Sequence, residues 1–275
     1  MAMTWVRMTT LAAVLMIAAW AAAGSAFAAP ATVRADVLAA ESSNWAGYAL
    51  DAPAPFTNVS GAWIQPAATC TAGTPTFSAF WVGLGGSSPA SQALEQVGTQ
   101  ADCSPNGRVT YGIWYELVPA APVTVKLPLK AGDAIAASVA VSGKTVSIRI
   151  TNVTQKKRTF AKRLVMTSPP PDLSSAEWVA EAPSACTSAG ACSVLPLADF
   201  GGVTFVVAKA MAGGHTGTIS DPAWSSTAIS LVGGGPSGPR RFAPATVSAH
   251  ATPTPLTPDG SSFGVTWIAP QPQAR

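Results

Sequence analysis

The sequence predicts an all-β protein, an antiparallel two-sheet β-sandwich in a single domain. Three observations carry that expectation. Hydrophobic residues alternate with polar or small ones from Val123 to Thr151, the two-residue period of a strand with one buried face. The 24 glycines and 24 prolines are spread along the chain, as many short strands and turns require. Beyond the N-terminus no stretch sustains helical periodicity. With 275 residues, 48% hydrophobic and 11% charged, the chain can bury one large core.

The N-terminus reads as a signal peptide, residues 1–28. Arg7 supplies the positive start, Leu11 to Ala23 is apolar, and Ala26-Phe27-Ala28 is a small-x-small cleavage site. The apolar run is short for a membrane span and no second one follows. A secreted (extracellular) protein with no membrane association after cleavage is expected. Residues 29–41 form a leader or pro-segment of small residues without a clear pattern, and 42–275 the sandwich domain.

Along the domain, Ser42 to Tyr48 reads as a first strand and Val59 to Ile64 as a second. A Thr/Gly/Pro loop with Cys70 precedes the aromatic run Phe77 to Leu84, which Gly85-Gly86-Ser87-Ser88-Pro89 breaks. Ala93 to Thr99 and Val109 to Val118 are further strands, separated by the Asp102 to Gly107 turn. Val123, Val125, Leu127 and Leu129 then alternate, as do Ile135, Ala137, Val139 and Val141, and again Val146, Ile148 and Ile150. The turns between them, Ala131-Gly132-Asp133 and Ser142-Gly143, make these antiparallel neighbours. Pro169-Pro170-Pro171 stops the chain before Ala176 to Glu181. Strands follow at Gly202 to Ala210, Trp224 to Val232 and Phe263 to Trp267, with Gly233 to Pro258 the only linker-like stretch.

Four cysteines in an exported chain imply two disulfides. Cys70, Cys103, Cys186 and Cys192 allow three pairings; one of them joins Cys186 to Cys192 across a short loop and leaves Cys70 with Cys103. Their spacing matches no common zinc pattern, so no metal is expected. The net charge of +3 includes no dense basic block, and nucleic acid is not an expected partner. Lys156-Lys157-Arg158 with Lys162-Arg163 reads as a hairpin tip or edge strand.

The chemistry narrows by residue type. His215 and His250 both sit in apparent loops, and nothing assembles a Ser-His-Asp triad or a Gly-x-Ser-x-Gly elbow around them. What remains is carboxylate and amide chemistry on strands: Glu95, Gln96, Glu116, Glu177 and Glu181. In an extended Ala176-Glu177-Trp178-Val179-Ala180-Glu181, the two glutamates and Val179 share one face and Trp178 takes the other. Likewise Leu94, Gln96 and Gly98 share a face, and Trp114 shares one with Glu116. If these faces line one concave sheet, they form a groove with aromatic walls. The bland alternative is a set of acids on a wet sheet face.

Five ordered motifs then resemble the glutamic peptidases, the eqolisins: Ser43-Asn44-Trp45-Ala46-Gly47, Phe80-Trp81-Val82-Gly83-Leu84-Gly85-Gly86, Leu94-Glu95-Gln96-Val97-Gly98, Trp114-Tyr115-Glu116 and Ala176 to Glu181. The resemblance implies a concanavalin-like double-sheet sandwich and a cofactor-free endopeptidase that works on protein or peptide substrates at acidic pH, insensitive to pepstatin. It places the catalytic pair on Gln96 and Glu181 and substrate-binding residues on Trp45, Trp81, Trp114 and Glu116. Glu181 as carboxylate would take a proton from water and return it to the leaving amine, with the Gln96 amide donating to the oxyanion. A monomer is expected. Gly85 stands where fungal members carry an aspartate that helps order the site. A second reading, a non-catalytic sandwich binding peptide or carbohydrate in the same aromatic groove, uses the same residues.

Overall fold

In the computed structural model the described residues are 37–156, 158–187, 192–233 and 249–270. The expected signal peptide and residues 29–36 of the expected leader lie outside them. All regular structure among the described residues is β. The strands in chain order begin with β1 (Val37–Ser42), β2 (Trp45–Asp51), β3 (Phe56–Ile64), β4 (Ala79–Leu84), β5 (Leu94–Cys103) and β6 (Val109–Val118). Next come β7 (Val123–Val125), β8 (Ala134–Ser142), β9 (Thr145–Asn152), β10 (Arg158–Val165), β11 (Ser175–Glu181) and β12 (Ser184–Cys186). The last are β13 (Cys192–Val194), β14 (Gly202–Ala212), β15 (His215–Gly217), β16 (Ser225–Leu231), β17 (His250–Pro253) and β18 (Phe263–Ile268).

One layer of the sandwich runs β7-β6-β5-β4-β11-β2-β16 and the other β10-β9-β8-β3-β14-β18. The two layers are not separate sheets. β17 pairs with β16 on one side and with β18 on the other, so one hydrogen-bonded sheet folds over on itself. β12 and β13 form a small sheet of their own.

Alternation explains what lies between the layers. The odd positions Ile135 to Val141 and the even positions Val146 to Ile150 point inward and are buried. From the other layer come Ala46, Tyr48 and Leu50, then Phe80, Val82 and Leu84, then Ala176, Trp178 and Ala180. Two buried indoles clamp the layers in opposite directions. Trp178 Nε1 of β11 donates to the Ser60 carbonyl of β3 at 2.9 Å, and Trp63 Nε1 of β3 donates to Thr99 Oγ1 of β5 at 3.0 Å. Burial of each ring stabilises by about 1.5–3 kcal/mol, and satisfying the N–H avoids the loss that an unpaired buried donor brings. Gly61 makes room: a Cβ there would lie 2.9 Å from Trp178 Cδ1.

Several elements differ from the sequence expectation. β7 stops at Val125 rather than Leu129, because the Leu127 N–H turns back to the Val125 carbonyl at 2.9 Å and Pro128 has no N–H to offer a ladder. The end of the expected leader, Val37–Ser42, is a strand, paired parallel to β16. The end of the linker-like stretch is β17. His215 and His250 lie in strands rather than loops, and His215 Nε2 meets Asp221 Oδ2 at 3.0 Å. Arg158, Lys162 and Arg163 fall on β10, the edge of its layer, as the edge-strand reading requires. Of the three possible disulfide pairings, the structure has Cys70–Cys103 and Cys186–Cys192.

Candidate active site

The outer face of the first layer is a cleft of about 1140 Å³. Its floor is set by strand register. Val179 of β11 pairs with Trp81 of β4, Trp81 with Gly98 of β5, and Gly98 with Trp114 of β6. The row on one side reads Ala49, Glu177, Gly83, Gln96 and Glu116; the row on the other reads Trp45, Glu181, Ala79, Gln100 and Gly112. Alternation puts all three rows on the same face, opposite the core.

Glycines at the centre let Trp81 lie down on its own sheet. A Cβ on Gly98 would lie 2.5 Å from Trp81 Cβ and 2.4 Å from the Phe80 carbonyl oxygen, and one on Gly83 would lie 3.0 Å from Trp81 Cζ3. Trp45 meets the Trp81 ring edge-on, with centroids 5.0 Å apart and planes at 78°. Trp81 is fully buried and is not among the residues that line the cleft, whereas Trp45, Trp114, Gln96, Glu116 and Glu181 are.

The buried indole reaches Glu181 instead. Trp81 Nε1 donates to Glu181 Oε2 at 2.7 Å, and Asn44 Nδ2 donates to Glu181 Oε1 at 3.1 Å. Asn44 is itself oriented: Ser42 Oγ donates to Asn44 Oδ1 at 3.2 Å, which turns the NH₂ end toward the carboxyl. Asn44 was not foreseen as a site residue; its only sequence signal is its place beside Trp45 in the first motif. Glu181 keeps partial exposure to the cleft. Its surroundings push its pKa up to about 7, with loss of water as the main cause and Glu116's charge a lesser one; Trp81, Trp45 and Asn44 pull it back.

Gln96 lies across the floor. Its Nε2 donates to Glu116 Oε2 at 2.8 Å, while its Oε1 is buried without a hydrogen-bond partner. Burial raises the pKa of Glu116 and the Gln96 amide opposes the rise. Gln96 and Glu181 face the same cleft but make separate contacts. From the register they stand two strands apart, ~10 Å, and four residues apart along β5, ~13 Å, with the Trp81–Gly98 row between them.

Glu177 differs from the wet-face reading. It has 0% exposure, and neither carboxyl oxygen has a hydrogen-bond partner. Desolvation lifts its pKa well above the ordinary carboxylate range, and Asp172, Asp51 and Glu95 add to it. An ionised carboxylate so enclosed is costly, so burial favours the neutral form. Glu95 points to the core side with 0% exposure, and burial raises it to about 8.

The cleft runs along β5 from Leu94 to Asp102, about 25 Å of extended chain. The Pro119 to Pro122 turn borders one end and the Cys186–Cys192 disulfide the other. Among the described residues, no group of three or more His, Cys, Asp or Glu side chains is placed to hold a metal ion.

Solved peptidase structures resemble this one. Scytalido-glutamic peptidase with a transition state analog inhibitor superposes with a TM-score of 0.65 at 22% identity, covering 82% of this chain and 98% of that one. SCP-B, a member of the eqolisin family of peptidases in complex with the tripeptide Ala-Ile-His, gives 0.61 at 21% identity over 82% and 98%. At that identity the likeness establishes the fold, a double-layered β-sandwich. Comparison with curated protein sequences gives no significant match. The family model of the Peptidase A4 family matches residues 43–232, more than half of the 275, and takes in every strand that floors the cleft. The chain belongs to the Peptidase A4 family, the eqolisins.

Proposed function

We propose that the chain is a secreted endopeptidase in which Glu181 is the general base and Gln96 the oxyanion donor. Glu181 takes a proton from water as the water attacks the scissile carbonyl, and returns it to the leaving amine. Gln96 holds one amide hydrogen on Glu116 and has a second for the oxyanion. The observation that carries this reading is Glu181 itself: a partly exposed carboxyl in a long cleft, held at both oxygens by fixed N–H donors. A cleft of about 25 Å accepts chain on both sides of a scissile bond, which favours an endopeptidase. The two disulfides fit export to an oxidising compartment. We further propose a monomer with no cofactor.

The working pH follows from which form of Glu181 reacts. The base is the ionised form, so kcat/KM rises with pH through a limb at about 7. The acidic optimum implied by the family resemblance requires Glu181 to be ionised at lower pH than that limb. A pH profile on denatured casein separates the two: activity that persists at about pH 3–4 places the ionisation of the base in acid, and activity that rises toward neutrality places it at the higher limb. Pepstatin and EDTA should leave either activity intact.

The direct test is the pair Glu181→Gln and Gln96→Ala, each checked for retained fold. Loss of the oxyanion donor should lower kcat about 100- to 1000-fold, and loss of the base at least as much. Parental cleavage by both variants would remove the assignment. A parent that binds peptide or glycan but cleaves nothing at any pH would favour the non-catalytic module.

A further inference from the structure

Gly85 follows β4 with φ of +80°, a conformation that favours glycine. Space constrains it as well. A Cβ at this position would lie 2.5 Å from Asp172 Cβ and 2.8 Å from the Asp172 carbonyl oxygen. The volume in which a side chain at position 85 would start is taken by Asp172, which arrives from the segment leading into β11.

The Asp172 carboxylate is fully engaged there. Oδ2 accepts from the Gly86 N–H at 3.4 Å and from Ser91 Oγ, and Oδ1 accepts from the Ser174 N–H at 2.9 Å. The Asp172 N–H donates to Glu95 Oε1 at 3.4 Å, and the Gly85 N–H donates to the Ser175 carbonyl at 3.1 Å. The Ala93 carbonyl, 2.8 Å from Ser91 Oγ, shares that single hydroxyl hydrogen with Asp172. Burial alone would raise the Asp172 pKa, but Ser91, Ser174 and Gly86 outweigh it and hold the group ionised. These contacts tie the β4–β5 turn to the start of β11. That turn leads directly into β5, where Gln96 follows Glu95, and the start of β11 leads to Glu181.

We propose that Asp172 is a positioning residue for the Gln96–Glu181 pair, bracing the β4–β5 turn against the lead-in to β11. The proposal rests on the peptidase reading for its kinetic test and on the structure of the β4–β5 turn for its spectroscopic one. Asp172 is not among the residues that line the cleft; it acts by fixing where β5 starts relative to β11. A displacement of about 1 Å at a reacting group can lower a rate 100-fold, so a brace of this kind matters to kcat more than to binding.

The test uses the full chain and four variants: Asp172→Ala, Asp172→Asn, Gly85→Asp, and the exchange Gly85→Asp with Asp172→Gly. The readouts are kcat, KM, thermal stability and the NMR position of the Gln96 side-chain amide, assigned by its loss in Gln96→Ala. Asp172→Ala should lower kcat about 10- to 100-fold with KM within about twofold, and should move the Gln96 amide resonance. Asp172→Asn keeps shape and one acceptor and should recover part of the loss. Gly85→Asp alone should be damaging, because its Cβ overlaps Asp172 backbone and Cβ atoms. The exchange variant should regain activity over Gly85→Asp, since aspartate tolerates a positive φ better than most residues. Parental kcat with an unmoved Gln96 amide in Asp172→Ala would overturn the proposal, as would an exchange variant no better than Gly85→Asp. A moved amide in a chain whose parent cleaves no peptide would uphold the brace and remove the peptidase reading.

Discussion

Trp81 Nε1 lies 2.7 Å from Glu181 Oε2, so the indole beneath the cleft is a hydrogen-bond donor to the candidate base. A donor to a carboxylate stabilises the charged form. Trp81→Phe keeps an aromatic ring on the glycine floor but removes that donor, and the Glu181 pKa should rise. The ascending limb of kcat/KM should move to higher pH by the same amount, with the plateau reduced. An unmoved limb would mean that the limb belongs to another group.

Glu116 works in the opposite direction. Its charge raises the Glu181 pKa, so Glu116→Gln should move the same limb to lower pH. The variant also takes the carboxylate from the Gln96 amide, whose NH₂ is then no longer fixed by a charged acceptor. A fall in kcat of about 10-fold alongside the shifted limb is expected, well short of the loss in Gln96→Ala. A limb that shifts upward would contradict this arrangement of charges.

The division of faces was legible because it depends only on the two-residue period. Val123 to Ile150 announced the sandwich, and Glu177, Val179 and Glu181 do share one face of β11. Alternation gives a side chain's face and not what covers it. Nothing local distinguishes Glu177, enclosed beside the flat-lying Trp81, from Glu181, four residues on and open to the cleft. Asn44 and Asp172 were illegible for a related reason. Their roles come from contacts to Glu181 and to the β4–β5 turn, 137 and more than 80 residues away in sequence. β1 has neither alternation nor a buried face, and its pairing to β16 rests on backbone alone.

Stability should depend on pH through the enclosed acids. The folded chain holds protons on Glu95 up to about 8 and on Glu177 beyond the ordinary range, whereas unfolded glutamates release theirs near 4.5. Between those values the folded state binds more protons, so unfolding free energy falls as pH rises from about 4.5 toward 8. The urea midpoint should therefore be highest in mild acid. Glu177→Gln removes one titrating group while keeping its shape, so its midpoint should fall less steeply and exceed the parent's at about pH 8. A parental midpoint that rises over this range would show that these carboxyls are paired or hydrated in solution.

Gly98 tests the floor itself. It pairs with Trp81 on one side and Trp114 on the other, and nothing larger fits: an added Cβ would meet the Phe80 carbonyl at 2.4 Å and Trp81 Cβ at 2.5 Å. Both are backbone or backbone-proximal atoms, so relief requires β4 and β5 to separate or Trp81 to rise from the sheet. Gly98→Ala should therefore lose about 1–3 kcal/mol of stability, the usual range for overpacking. It should also lower kcat, because Trp81 carries the N–H that holds Glu181. The two effects can be read separately, by denaturant midpoint and by the pH limb. If Gly98→Ala destabilises but leaves the limb in place, Trp81 has stayed down and the strain has gone into strand separation. A limb moved upward as in Trp81→Phe means that the glycine floor is what keeps the indole within reach of the carboxyl.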